Sequence, residues 1–143
     1  SHFSKIQIKE FSILFIMLNY PEVVLKKIED ISKIIFLSEK NESLKKVIIS
    51  SLLNGDSREK IHSIISVDYK KLIDEIQENS SIQIIVKAKD EDAILELLND
   101  LLIELEEINN LKKIESLEKE LINNLDENSF SELIKLKSQV NRE

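Results

Sequence analysis

The chain has no cysteine, and it has only one glycine, Gly55, and one proline, Pro21, among 143 residues. The lack of cysteine excludes a disulfide framework, a thiolate zinc site and a cysteine nucleophile. A single glycine also excludes a glycine-rich phosphate-binding loop. Because sheets and ordered loops use glycine and proline far more often, their scarcity indicates helices joined by short polar turns. The sequence therefore predicts an all-α fold.

Long apolar runs are missing as well. No run approaches the roughly 20 apolar residues that span a bilayer, and the first residues lack the charged, apolar and small-residue regions of a signal peptide. We therefore expect a cytoplasmic protein without membrane contact. Ser1 and His2 are typical of a cloning remnant, which indicates a piece of a larger protein.

Clustered basic charge is the third absence, and the formal net charge is −7. Residues 1–89 carry 14 basic and 12 acidic side chains. Residues 90–111 carry no basic and eight acidic side chains, and residues 112–143 carry six basic and seven acidic ones. A nucleic-acid groove needs a concentration of basic side chains to displace counterions from phosphates. We therefore expect no direct contact with nucleic acid.

The last third of the chain contains the longest amphipathic pattern. Apolar residues recur there every three or four positions, at Ile94, Leu98, Leu101, Leu105, Ile108, Leu111, Ile114, Leu117, Leu121 and Leu125. The polar segment 126–129 then interrupts the pattern, and a second stripe starts at Phe130. This predicts a long helix from about residue 90 to 124 and a short returning helix, which together form a C-terminal helical hairpin.

The preceding residues predict an N-terminal helical bundle of about five short helices. Their predicted starts are Ile6, Pro21, Ser38 or Asn41, Asp56 or Ser57, and Asp68, and Gly55 is the expected left-handed stop. The β-branched run 82–86 lacks a partner strand, so it predicts a helix start or a buried connector. We expect a bundle subdomain over 1–89 and a long helix with its hairpin over 90–143. The proximal half of the long helix is expected to pack against the bundle.

Candidate chemistry in the chain has ordinary structural alternatives. Asp90, Glu91 and Asp92 could hold a divalent cation, but acidic residues in the first turn of a helix are the commoner arrangement. His62 next to Ser63 has no identifiable orienting group or oxyanion hole, so a partly exposed helical histidine is favoured. The lysine pairs at 26–27, 45–46 and 70–71 indicate solvated faces, with an acidic-peptide site as the open alternative. We expect no catalytic residue, no metal and no cofactor.

The hairpin carries more apolar residues than one seam can bury. Spacing places residues 133, 136 and 140 on one side of the returning helix and residues 130, 134 and 137 on an adjacent side. Some apolar surface is then left for a partner, because a cluster of exposed apolar residues marks an interface. The alternative is that these residues only close the hairpin or meet the bundle.

Two stretches resemble the C-terminal domain of bacterial DNA primase. The segment 11–22, FSILFIMLNYPE, is similar to the opening of that domain, where an apolar helix runs into an Asn/His-x-Pro-Glu turn. The segment 126–140, DENSFSELIKLKSQV, resembles its closing Glu-Asn-Phe segment with spaced leucines. The order of short helices, long helix and hairpin agrees, so the resemblance spans the chain.

The resemblance implies a non-catalytic domain that binds the hexameric replicative helicase and recruits primase to the replication fork. It implies helicase contacts from Phe130, Leu133, Leu136, Lys137 and Val140, with Ile122 and Leu125 shaping the hairpin tip. It also implies a domain that is monomeric alone, with the acidic tail of single-stranded-DNA-binding protein as a possible further partner.

Two other functions stay open. The first is a self-associating helical adaptor that dimerises through residues 112–143 and has no role in replication. The second is a metal-dependent enzyme at Asp90 to Asp92, which would bind magnesium or manganese tightly.

Overall fold

The computed structural model describes residues 3–79, 82–83, 90–123 and 127–141. Within these residues the chain forms eight α-helices and no strand, which confirms the all-α prediction. The helices are α1 (Lys5–Asn19), α2 (Pro21–Leu25), α3 (Ile28–Lys33), α4 (Glu39–Leu53), α5 (Arg58–Ile65), α6 (Lys70–Glu78), α7 (Glu91–Asn123) and α8 (Glu127–Val140). Contacts divide the chain into two compact units, Ser1–Leu102 and Ile103–Glu143.

Helix α1 is the centre of the first unit. It contacts α2, α4, α5 and α6, and every residue from Glu10 to Leu18 is buried. The helix starts with a capping box, in which Ser4 Oγ accepts from the Gln7 N–H at 3.1 Å and Gln7 Oε1 accepts from the Ser4 N–H at 2.9 Å. A helix that is apolar on all sides can be buried on all sides, which is how this bundle surrounds α1.

The single helix predicted to begin at Pro21 is two helices. Helix α2 ends at Leu25 and α3 begins at Ile28, because Lys27 leaves the helical conformation with φ −127° and ψ 19°. The break changes the direction of the apolar face: Val23, Val24 and Ile31 are buried, whereas Leu25 is exposed. Leu53 of α4 and Ile64 of α5 are likewise exposed.

A buried polar network holds the extended segment between α3 and α4. Glu10 accepts from the Leu37 N–H at 2.6 Å and from Asn41 Nδ2 at 2.9 Å. Lys45 Nζ donates to the Ile34 carbonyl and lies 2.8 Å from Glu42 Oε1, which also accepts from the Phe36 N–H. The solvated position predicted for Lys45 is therefore wrong. A cation can be buried when it is paired and hydrogen-bonded, as Lys45 is by Glu42 and the Ile34 carbonyl.

The turn between α4 and α5 and the start of α4 use the predicted signals, whereas α6 begins at Lys70 after Tyr69 and not at the predicted Asp68. Ser38 Oγ caps α4 and Ser57 Oγ caps α5, and Gly55 between these helices has φ +79°. Residues 82 and 83 are helical, and the Asn79 carbonyl accepts from the Gln83 N–H at 3.1 Å, which fits the predicted helix start. The rest of the 82–86 run lies outside the described residues.

Helix α7 is continuous over its 33 residues. Asp90 caps it by accepting from the Ala93 N–H at 2.8 Å. In the first unit, the helix buries Ile94, Leu98, Leu101 and Leu102. The division between the two compact units falls within this helix.

Candidate protein-interaction site

The second unit is an antiparallel helical hairpin with a narrow seam. The buried residues of this seam are Ile114 of α7 and Leu133 and Leu136 of α8. The partly buried residues packed against them are Leu117, Leu121 and Val140. These positions recur at spacings of three and four, so each helix contributes one stripe to the seam.

An ion pair joins the two arms beside the seam. Lys137 Nζ of α8 lies 2.9 Å from Glu118 Oε1 of α7, and about half of each side chain is exposed. A second link is nearer the turn, where Ser129 Oγ donates to Glu120 Oε2 at 3.3 Å. The ion pair shows which sides of the two helices meet at one surface of the hairpin.

The surface around this ion pair is apolar and exposed. Residues 111, 118 and 122 fall on one side of α7, and residues 130, 134 and 137 fall on one side of α8. Because Glu118 and Lys137 are in contact, these two sides adjoin. We call this surface the hairpin face; it consists of Leu111, Glu118, Ile122, Phe130, Ile134 and Lys137. All four of its apolar residues are exposed.

The residues named by the resemblance divide between the hairpin face and the seam. Ile122 and Phe130 are exposed on the face, and Lys137 lies beside them in its ion pair. Leu133 and Leu136 are buried in the seam and Val140 is partly buried there, so their structural role is to close the hairpin. A direct partner contact by these three stays a prediction, and it would require the seam to open. Leu125 lies outside the described residues.

Ile134 belongs to the hairpin face although the resemblance does not name it. It is as exposed as Phe130, from which it is separated by one helical turn. The predicted division of the returning helix, with residues 133, 136 and 140 on one side and 130, 134 and 137 on the next, is the arrangement that the structure has. The spacing was therefore the signal that could have identified Ile134.

The other candidate sites have ordinary structural contacts. Asp90 caps α7 and Glu91 lies 3.4 Å from Lys26, and the described residues contain no group of three potential metal ligands. His62 Nε2 lies 3.1 Å from the Leu18 carbonyl, where it links α5 to α1.

A cleft of about 520 Å³ lies in the first unit between α1, α2, α4 and α5. Three carboxylates line it, from Glu22, Asp56 and Glu59, against one cation, Arg58, which donates to Asn19 Oδ1 at 3.0 Å. This balance of charge disfavours an acidic peptide in the cleft. Contact with the acidic tail of single-stranded-DNA-binding protein stays a prediction, which the charge of this cleft does not support.

In the part of the chain that the structure describes, no helix combines the length and hydropathy needed to cross a membrane. Comparison of the chain with family models, with curated proteins and with solved structures finds no match.

Proposed function

We propose that this chain is a helicase-binding domain of the bacterial DNA primase type. In this proposal it is a non-catalytic interaction domain that docks on the hexameric replicative helicase and recruits primase to the fork for RNA primer synthesis. The observation that carries the proposal is the exposed hairpin face, with Ile122, Phe130 and Ile134 at its centre. Two of these three residues lie in the segment that resembles the closing part of the primase domain.

The chemistry of the hairpin face suits a helical partner with an apolar groove. Interfaces of this kind use a few apolar anchors surrounded by polar groups that exclude water. Phe130 and Ile122 are the proposed anchors, and the Glu118–Lys137 ion pair supplies the polar groups next to them. Leu133 and Leu136 act indirectly, because they hold the two arms in register beneath the face.

Recruitment explains how such a domain would work without a catalytic residue. A primase that is held on the helicase has a high effective concentration at the exposed template, so a weak affinity for the template is sufficient. The acidic balance of the chain agrees with this division of labour, since the chain would bind protein rather than nucleic acid.

Light scattering after gel filtration tests the proposal, with the chain alone and mixed with the cognate hexameric helicase. We expect the wild-type chain to elute with the hexamer. Ile122→Asp should weaken binding by at least about tenfold, because a buried charge at an apolar anchor is costly. Val67→Asp is the matched control: Val67 is 81% exposed in the first unit, Ile122 is 83% exposed, and the control should bind like the wild type.

The self-associating adaptor is the second candidate, because the same exposed face could serve a second copy of the chain. A wild-type chain that forms a stable dimer and never elutes with the helicase would overturn the recruitment proposal and support the adaptor. Equal loss of helicase binding in Ile122→Asp and Val67→Asp would show that the hairpin face is not the docking surface.

A further inference from the structure

The hairpin face has opposite charges at the same height on its two arms. Glu118 lies on α7, Lys137 lies on α8, and the 2.9 Å contact places them level with each other. From this arrangement we infer that the hairpin face also pairs with the same face of a second copy of this chain. The two copies are related by a two-fold axis that runs parallel to the helices.

Such an axis stacks each arm on the opposite arm of the other copy. Helix α7 then lies over α8 of the second copy at the same height, so that Glu118 meets Lys137 of the second copy and Lys137 meets its Glu118. The two intramolecular ion pairs become a ring of four alternating charges. A two-fold interface uses one patch twice, so a patch of this kind must be complementary to itself.

The apolar residues match under the same operation. Ile122 lies four residues from Glu118 and Ile134 lies three residues from Lys137, both towards the turn. At a rise of 1.5 Å per residue, the two isoleucines are about 6 Å and about 4.5 Å from the level of the ion pair. Ile122 of one copy therefore comes opposite Ile134 of the other, and exposed apolar surface is buried on both sides.

The alternative two-fold axis, perpendicular to the helices, is electrostatically unfavourable. At the level of the ion pair it stacks α7 on α7, which brings Glu118 of one copy near Glu118 of the other. It likewise brings Lys137 near Lys137. Like charges in contact are destabilising, so the Glu118–Lys137 pair favours the parallel axis.

The size of the face predicts a weak dimer. Two arms of about 20 Å in length, side by side, present a surface of roughly 20 by 20 Å to a second copy. Interfaces of this size are at the small end of specific protein contacts, so we expect a dissociation constant on the order of 10 to 100 µM. The chain is then monomeric when dilute, and pairs when its local concentration is high.

Self-pairing also has a consequence for helicase recruitment, and only this consequence rests on the proposed function. Pairing covers Ile122 and Phe130, so the dimer and the helicase complex exclude each other. The helicase would bind the chain only after separating the pair.

Sedimentation equilibrium of the chain alone, from about 5 to 500 µM, tests the pairing. The wild-type mass should rise with concentration towards twice that of the monomer, whereas Ile134→Asp should stay monomeric. Ile103→Asp is the matched control, because Ile103 is 53% exposed and Ile134 is 54% exposed, but Ile103 lies on α7 away from the hairpin face. A wild-type chain that stays monomeric throughout, or a control that loses pairing as fully as Ile134→Asp, overturns the inference.

A charge exchange tests whether Glu118 and Lys137 lie at the pairing surface. Glu118→Lys and Lys137→Glu should each remain monomeric alone, because each creates a face with charge of one sign. Mixed in equal amounts, the two variants should pair, since each lysine then meets a glutamate of the other chain. A mixture that pairs no better than either variant alone overturns their place at the pairing surface, and circular dichroism checks that each variant keeps its helices.

No helicase is present in these measurements, so the self-pairing and the recruitment proposal can be overturned independently of each other. A wild-type chain that elutes with the helicase but never pairs overturns only the self-pairing. A chain that pairs as described but never binds the helicase overturns only the recruitment.

Discussion

At the scale of the residue, Lys45 is the least expected side chain of the first unit. Its side chain is only 1% exposed, yet its ammonium group has three partners: the Ile34 carbonyl, the Glu42 carboxylate and the ring of Phe36, whose centroid is 4.9 Å away. A buried cation is tolerated only when it is paired and hydrogen-bonded. Lys45 therefore fixes the extended segment 34–37 against α4.

Replacing Lys45 by methionine should destabilise the protein by about 3 kcal/mol, because Glu42 would keep its charge in a largely buried site without its close partner. Lys46→Met provides the control: Lys46 is exposed and lies 3.9 Å from the same glutamate, so its loss should cost less than about 0.5 kcal/mol. Urea unfolding followed by circular dichroism measures both. Equal effects of the two substitutions would contradict the structural role of Lys45.

At the scale of the element, α8 depends on the seam for its existence. An isolated helix of 14 residues is marginal in water, and only Leu133 and Leu136 of this helix are buried. Its helicity therefore comes from packing against α7. The hairpin face exists only while this packing holds.

Leu136→Asp should release α8 from the seam and remove helicase binding, while the first unit stays folded. Amide exchange over residues 127–141 should accelerate by about a hundredfold, which corresponds to a loss of about 3 kcal/mol at a buried leucine. Phe130→Asp is the comparison, because it should remove binding with little change in exchange. Faster exchange across α1 in Leu136→Asp would show that the hairpin is needed for the first unit to fold.

At the scale of the whole molecule, the core is concentrated in the first unit. Most buried apolar residues lie in Ser1–Leu102, including the unbroken buried stretch of α1, whereas the hairpin has three in its seam cluster. Local free energies of opening follow the density of buried contacts. We therefore expect two levels of stability within one chain.

Native-state hydrogen exchange at increasing denaturant should resolve the two levels. Amides of α1 should exchange only through global unfolding, and amides of α8 should exchange through an opening that is a few kcal/mol less costly. The linear dependence on denaturant should be steeper for α1, because more surface becomes exposed. One common free energy for both helices would mean that the two units unfold together.

The sequence predicted features that depend on near neighbours. The cap at Ser57, the left-handed Gly55 and the apolar stripe of α7 each follow from residues within one or two helical turns. It did not predict the break at Lys27, where two short helices replace one.

Burial that depends on distant residues was predicted less well. Lys45 is buried because Ile34 and Phe36 contact it from an earlier segment, whereas Leu53, at the end of α4, is exposed. For the candidate site, spacing predicted the side of α8 that is exposed. Motif resemblance placed Leu133 and Leu136 among the contacts, and the structure has both residues buried in the seam, where a direct contact stays a prediction.

The complete burial of α1 has a consequence during synthesis on the ribosome. Its apolar stretch up to Leu18 is made long before Leu72 and Ile76 of α6, which help to cover it, and about sixty residues separate them. At a translation rate of 5–20 residues per second, the stretch waits roughly 3 to 12 s for this part of its cover. During that interval the nascent chain presents a nearly uninterrupted hydrophobic helix, which makes α1 the segment most suited to capture by a chaperone.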